Sequence, residues 1–228
     1  MTKPTRHLAA FLGDLCRFVE GTGDSDAPAT AERQRFADLL RTLDPRQADT
    51  AEAGLPFGLP ACRFWAAAIE VEGNADPLAD LRHAVAGLGP WLVWTQNPNY
   101  RRAPPSEDFL DHYGYAVIAG PRDGSAALVE HATLALGVLL LGPGTHYPLH
   151  RHPATEIYVP LNAAEWWRGE GPWREEAPGA VILHPSGVPH ATRTGGLPLL
   201  AIYLWSGDLD THARLTTTDS GGPGRAQE

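Results

Sequence analysis

The chain is poor in sulfur: its 228 residues include two cysteines, Cys16 and Cys62, and one methionine. Two widely separated thiols build neither a disulfide framework nor a thiolate metal site, so any metal must be held by nitrogen and oxygen. Basic side chains are also scarce, 18 against 27 acidic ones, for a formal charge of −9 with histidine neutral. That balance argues against nucleic acid as a partner. No apolar run approaches the ~20 residues that a membrane-spanning helix needs, and Met1-Thr2-Lys3-Pro4-Thr5-Arg6 is not followed by the long apolar stretch of a secretory signal. These absences predict a cytoplasmic protein with no membrane partner. A Gly-rich phosphate loop and a nucleophile elbow are missing too.

Glycine and proline, by contrast, are plentiful: 24 plus 21 is 45 residues, about a fifth of the chain, against ~12% in ordinary proteins. Most lie beyond residue 90 and predict many turns there. The chain's 43% hydrophobic content suffices for an ordinary core.

Residues 6–20 place Leu8, Phe11, Leu12, Leu15, Phe18 and Val19 three and four apart, the spacing of one helical face. A second helical pattern runs through Phe36, Leu39, Leu40 and Leu43 and stops near Pro45. Residues 60–69 and 76–86 read as shorter helices, the latter opening on Asp76-Pro77, a pair suited to an N-cap and first turn. Beyond Gly89-Pro90 the texture becomes β-like in seven short segments: 91–94, 113–118, 127–131, 134–141, 156–159, 180–183 and 199–205. Such pieces, without long helices between them, predict an antiparallel sandwich or barrel. The division predicted is a helical region over 1–90 packed on a β-barrel over 91–215, with a disordered tail over 216–228.

The chemistry-bearing residues gather in the turn-rich β region, where His146, His150, His152 and His190 accompany Glu156. Side chains of an extended strand alternate faces, so His150, His152, Glu156 and Tyr158, all at even positions, are predicted to share one face. Ile157, Val159 and Leu161 on the opposite parity are apolar, so the polar face is expected to line a cavity. A lone histidine is usually a satisfied core residue. A His-x-His pair followed by a same-face glutamate is different, because one small divalent ion can meet all three. The turn Pro185-Ser186-Gly187 would bring His190 back toward the first strand. His146 and His184 read as structural or supporting residues, and Trp94, Trp166, Trp167, Trp173 and Trp205 as ordinary core candidates.

Gly144 followed by His150, His152 and Glu156 resembles the first cupin motif, and Gly179, Pro185, Gly187 and His190 resemble the second. Ala163 and Thr194 depart from the glycine and asparagine that usually end the two motifs. A closer resemblance is to the cupin-type dimethylsulfoniopropionate (DMSP) lyases, whose signature is similar to Tyr147 followed by His150-x-His152-x3-Glu156-x-Tyr158. This resemblance implies a mainly β fold, a cupin double-stranded β-helix (jelly-roll) barrel preceded by α-helices. It implies one divalent transition-metal ion, with Zn, Fe, Mn, Co and Ni all compatible, on His150, His152, Glu156 and His190. Either histidine of the His-x-His pair could stand close without bonding. Tyr158 and Tyr147 are then the expected catalytic residues, and Trp205, Trp94 and Tyr147 the expected substrate-binding ones. Pro148 can bend or bulge the strand and re-aim Tyr147 despite its odd parity.

The activity so implied is β-elimination of DMSP to dimethyl sulfide and acrylate, a carbon–sulfur lyase reaction on a small carboxylate. The alternatives are another metal-dependent cupin enzyme, an isomerase or oxygenase on a small carboxylate, and a non-catalytic ligand-binding cupin. The resemblance also admits a homodimer.

Overall fold

A computed structural model of the chain describes residues 2–21, 27–50, 58–70, 78–122 and 124–216. The first helical pattern forms α1 (Lys3–Gly21), which buries Leu8, Phe11, Leu12, Leu15 and Val19 on one side. Helix α2 (Ala27–Arg41) ends before Pro45, where a 3-10 turn, Pro45–Thr50, takes over. A 3-10 turn at Pro60–Phe64 leads into α3 (Trp65–Ile69), and α4 (Ala79–Leu88) follows. Asp76 and Pro77, the expected cap of α4, lie outside the described residues; the observed N-cap position is Leu78, with no side-chain cap. Two short helices, α5 (Pro98–Arg102) and α6 (Phe109–His112), connect to the strands. Among the described residues no helix is long and apolar enough to cross a membrane.

Among the described residues, twelve strands form two antiparallel-dominated sheets. The larger contains β1 (Trp94–Thr95), β2 (Tyr113–Gly120), β3 (Val129–Glu130), β4 (Leu134–Leu141), β6 (Thr155–Pro160), β9 (Ile182–His184) and β11 (Leu199–Ser206). Its order is β1-β2-β4-β11-β6-β9, with β3 parallel to β2. The smaller runs β12-β5-β10-β7-β8, built from β5 (His146–Arg151), β7 (Ala164–Arg168), β8 (Arg174–Glu176), β10 (His190–Arg193) and β12 (Arg214–Leu215). The two sheets make the jelly-roll arrangement expected from the sequence. The seven β segments read from sequence are the seven strands of the larger sheet. The segment at 91–94 is largely a 3-10 turn, Gly89–Trp91, because Pro90 fixes the backbone there; only Trp94 joins β1.

Period-two alternation splits the larger sheet between two cores. Leu134, Leu136, Val138, Leu140, Ile157, Val159, Leu200, Ile202 and Leu204 face the helices, packing with Leu8, Phe11, Phe36 and Val85. Leu139, Leu141, Tyr158, Ala201 and Tyr203 face the smaller sheet, with Tyr147 and Trp166. The helices therefore cover the back of the larger sheet and leave the space between the sheets for a site. Of the expected tail, 217–228 lie outside the described residues. Thr216 is tied down, its N–H donating to Leu149 O at 2.9 Å.

Candidate metal centre

His150 is the penultimate residue of β5 in the smaller sheet, His152 follows the strand's end, and after a short turn Glu156 and Tyr158 project inward from β6 of the larger sheet. The expectation that these side chains share one face of a single strand is therefore corrected. They converge because the chain crosses between the sheets at residues 152–154, so two strands face each other across the interior. The second motif arrives as its turn predicted. Gly187 adopts the left-handed conformation (φ 74°), which glycine tolerates without steric cost, and its N–H donates to His152 O at 2.9 Å. Strand β10 then pairs with β5 and sets His190 opposite His150.

The ligand atoms of His152, Glu156 and His190 lie within 4.8 Å of one another, and all three side chains are buried. His152 Nε2 is 3.0 Å and His190 Nε2 3.3 Å from Glu156 Oε2. His150 stands beside this trio, its ring 4.1 Å from that of His190 and 6.5 Å from that of His152. In each histidine Nδ1 meets a backbone carbonyl two residues away: Pro148 for His150 (2.8 Å), Ala154 for His152 (3.0 Å) and Val188 for His190 (3.0 Å). A carbonyl only accepts, so Nδ1 carries the proton and Nε2 offers its lone pair to the interior. His190 Nε2 is buried and makes no hydrogen bond despite its proximity to Glu156. A buried nitrogen lone pair without a donor, beside an ionised carboxylate and further imidazoles, fits a small divalent transition-metal ion.

Electrostatics agree with this. Burial works against the Glu156 charge, yet His152 and His190 hold its carboxyl well below the usual range. Burial, reinforced by the neighbouring His190 imidazole, keeps His150 neutral, the form in which imidazole binds metal. Burial first, and then the Glu156 carboxylate, pushes the Tyr158 phenol well above its ordinary value. The Trp205 indole N–H donates to Glu156 Oε1 while its ring stacks on His152 at 4.0 Å.

Tyr147 points inward despite its odd position. Between the pairs His190–His150 and Thr192–Tyr147, β10 advances two residues and β5 three, a bulge at Pro148 and Leu149. The Tyr147 ring lies parallel to His150 at 4.0 Å and its hydroxyl donates to Tyr100 Oη at 3.2 Å. A cavity of about 200 Å³ opens beside Glu156, Tyr147, Tyr158 and Trp205. Tyr113, Tyr115 and Tyr203 extend the aromatic lining, which residues 209, 210, 212 and 213 share with Asn97. Trp94 is not in this lining. It packs edge-on against Trp65 in the helix-covered core, so its expected place at the substrate is corrected. The alternation that sends Ala116, its cross-strand partner, toward the helices sends Trp94 there too.

Tyr113, Tyr115 and Tyr203 were missed in the sequence, although Tyr113-Gly-Tyr115 and Tyr203-Leu-Trp205 each place two aromatics on one strand face. His146 is exposed beside Trp173, and His184 is buried against His190. The motif departure at Thr194 is absorbed locally: its hydroxyl accepts from Thr145 N (2.8 Å) and donates to Gly142 O (2.7 Å), which closes the turn.

The family model for dimethylsulfoniopropionate lyase matches residues 30–201. The dimethylsulfoniopropionate lyase DddQ of Ruegeria pomeroyi is 37% identical over 140 residues, 60% of this chain and 66% of that protein, so the aligned stretch spans just under two thirds of this curated relative. The crystal structure of DMSP lyase DddQ from Ruegeria pomeroyi DSS-3 superposes with TM-score 0.68 at 29% identity, covering 93% of this chain and 99% of that one. A chain from the crystal structures of the DMSP lyases RdDddP and RnDddQII superposes with TM-score 0.70 at 24% identity, covering 93% and 98%, a likeness of fold.

Proposed function

The chain belongs to the dimethylsulfoniopropionate lyase family, and we propose that it is a metal-dependent carbon–sulfur lyase cleaving DMSP, with Tyr158 as the base. The observation that carries the reading is the meeting of a buried His152–Glu156–His190 set, Tyr158 and an aromatic-walled cavity at one point between the sheets. We read residues 91–215 as the catalytic barrel and 1–90 as the helical layer that backs it.

His152, Glu156 and His190, with His150 beside them, would hold the ion. A divalent ion there supplies charge that polarises a substrate carboxylate and favours ionisation of a neighbouring phenol. Tyr158, as phenolate, takes the proton α to the carboxylate. The C–H electron pair forms the double bond of acrylate, the C–S bond breaks, and its pair leaves on sulfur as neutral dimethyl sulfide. No redox partner is needed. The sulfonium is a cation on an apolar body, which Tyr113, Tyr115, Tyr203 and Trp205 can hold by cation–π attraction of ~0.5 to 2 kcal/mol. Packed side chains around Tyr158 exclude bulk water.

Headspace gas chromatography for dimethyl sulfide, after metal-loaded protein meets DMSP, tests the activity; none released by a folded, metal-loaded sample ends this reading. Tyr158→Phe should abolish acrylate formation and leave metal content unchanged. Full activity in that variant would remove Tyr158 as the base.

A further inference from the structure

Two of the inward imidazoles carry a flat partner on one face, Tyr147 on His150 and Trp205 on His152, and both partners also line the cavity. The third has one as well. The ring of His184 lies on that of His190 with centroids 4.0 Å apart and planes 23° from parallel. His184 ends β9, in register with Glu156 on β6, and Pro185 starts the turn that carries the chain to His190. Its ring also meets Tyr158 edge-on at 5.9 Å and Trp166 at 6.3 Å.

What this ring contributes follows from what it lacks. His184 is 1% exposed, yet neither ring nitrogen has a hydrogen-bond partner among the described residues. It is not in the set whose ligand atoms cluster, His152, Glu156 and His190. It is absent from the cavity wall. The flat face remains. His190 is held in its plane by the Nδ1 contact to Val188 O, but one in-plane contact leaves the ring free to tilt about that line. A ring stacked on its face blocks the tilt.

We infer that His184 is a positioning residue: its ring face fixes the plane of His190 and so the direction in which His190 Nε2 points at Glu156. The inference rests on the metal reading of this site. Supporting groups around ligands set affinity and geometry although they never touch the ion.

The test compares wild type with His184→Phe, which keeps a flat ring, and His184→Leu, which fills comparable volume without one. Co²⁺ is titrated into each metal-free protein and followed by visible absorption and by competition with a chromophoric chelator; urea unfolding without metal controls for folding. His184→Leu should bind Co²⁺ roughly 10- to 100-fold more weakly, with a changed absorption envelope. His184→Phe should keep wild-type affinity and spectrum, with a urea midpoint no lower than wild type. Wild-type affinity in the leucine variant overturns the role of the face. Equal loss in both variants also overturns it, because the nitrogens would then be what matters. Failure of the wild type itself to bind Co²⁺ or other divalent ions is a different result, which removes the metal reading and this inference with it.

Discussion

Removing both amide groups that hold Ala213 should cost more than the two single removals together. Residues 209, 210, 212 and 213 line the cavity, and beyond them β12 sets Leu215 beside His150. The junction is pinned at one carbonyl: Ala213 O accepts from Asn97 Nδ2 at 2.9 Å and from Asn99 Nδ2 at 3.0 Å. Asn97 has a second task, since its Oδ1 accepts from Asn99 N at 2.9 Å and caps α5. Asn97→Ala loses a cap worth ~1 kcal/mol and a hydrogen bond worth ~1 kcal/mol, so about 2 kcal/mol in all. Asn99→Ala loses that bond, about 1 kcal/mol or less, and an exposed one that its Oδ1 accepts from Arg102 Nη2 at 2.9 Å. Either single variant leaves the carbonyl one donor. The double variant leaves it none, and Ala213 is 3% exposed, so a further ~1 to 3 kcal/mol of unpaired-acceptor cost appears only there. Urea unfolding of the four proteins closes the cycle, and KM for DMSP should rise most in the double variant as the lining loosens. A double variant no less stable than the sum of the singles would refute the shared-carbonyl account.

Acid should weaken the metal-free fold. Burial, then the neighbouring His190 imidazole, pushes His150 and His184 well below the ordinary 6.5. Between the folded values and 6.5 the unfolded chain binds protons that the fold refuses. The stability these rings contribute is therefore complete above about 6.5 and lost as pH falls toward their folded values; urea midpoints that stay flat on going from about pH 7.5 to 5.5 would contradict this. Gly137 faces the barrel interior, where a Cβ would collide with the Ala116 carbonyl oxygen and the Tyr203 hydroxyl. Gly137→Ala should cost ~1 to 3 kcal/mol by overpacking and raise KM by forcing Tyr203 toward the cavity. Adding Tyr203→Phe should restore part of the urea midpoint, and no recovery would mean that the hydroxyl is not what is displaced. Trp205→Phe keeps a ring for His152 but removes the N–H given to Glu156 Oε1, so divalent-ion affinity should fall roughly 10-fold. Unchanged affinity in a competition titration would show that this contact does not orient the carboxylate.

Which parts of the molecule the sequence displays follows from which faces are buried. The larger sheet is covered by helices on one side and by the smaller sheet on the other, so its strands read as near-continuous apolar runs, such as Leu134–Leu141, and all seven stand out. The smaller sheet offers no such runs. Its inner face carries His150, His190, Thr192 and Tyr147, and its outer face Arg151, Arg168 and Arg193, so the apolar periodicity that marks a strand is missing. The metal-binding residue types were legible because their spacing is chemical and does not depend on hydrophobicity. Their common-face explanation failed because a turn at 152–154 reads like extended chain. Trp94, between Val93 and Thr95, is an aromatic in a short apolar segment, which gives no indication of which core it enters. Part of the cavity lining depends on Asn97 meeting Ala213, a contact between distant segments that no local pattern announces.

The position of Tyr158 beside Glu156 ties the two halves of the proposed mechanism together. Both project inward from β6, two residues apart, so the carboxylate's charge and burial act on the same phenol and both hold it neutral. A neutral phenol is no base for a carbon acid. The charge of Glu156 is itself secured by His152 and His190, so the chain's own groups do not relieve Tyr158. A divalent cation held by His152, Glu156 and His190 would more than offset the single carboxylate charge and so would reverse the sign of the field at the phenol. On the proposed mechanism, the arrangement that looks adverse to a tyrosine base would make its ionisation conditional on the ion. An isolated phenolate would be costly in so buried a place, and this coupling would confine it to the loaded site, where a carboxylate substrate would also be drawn.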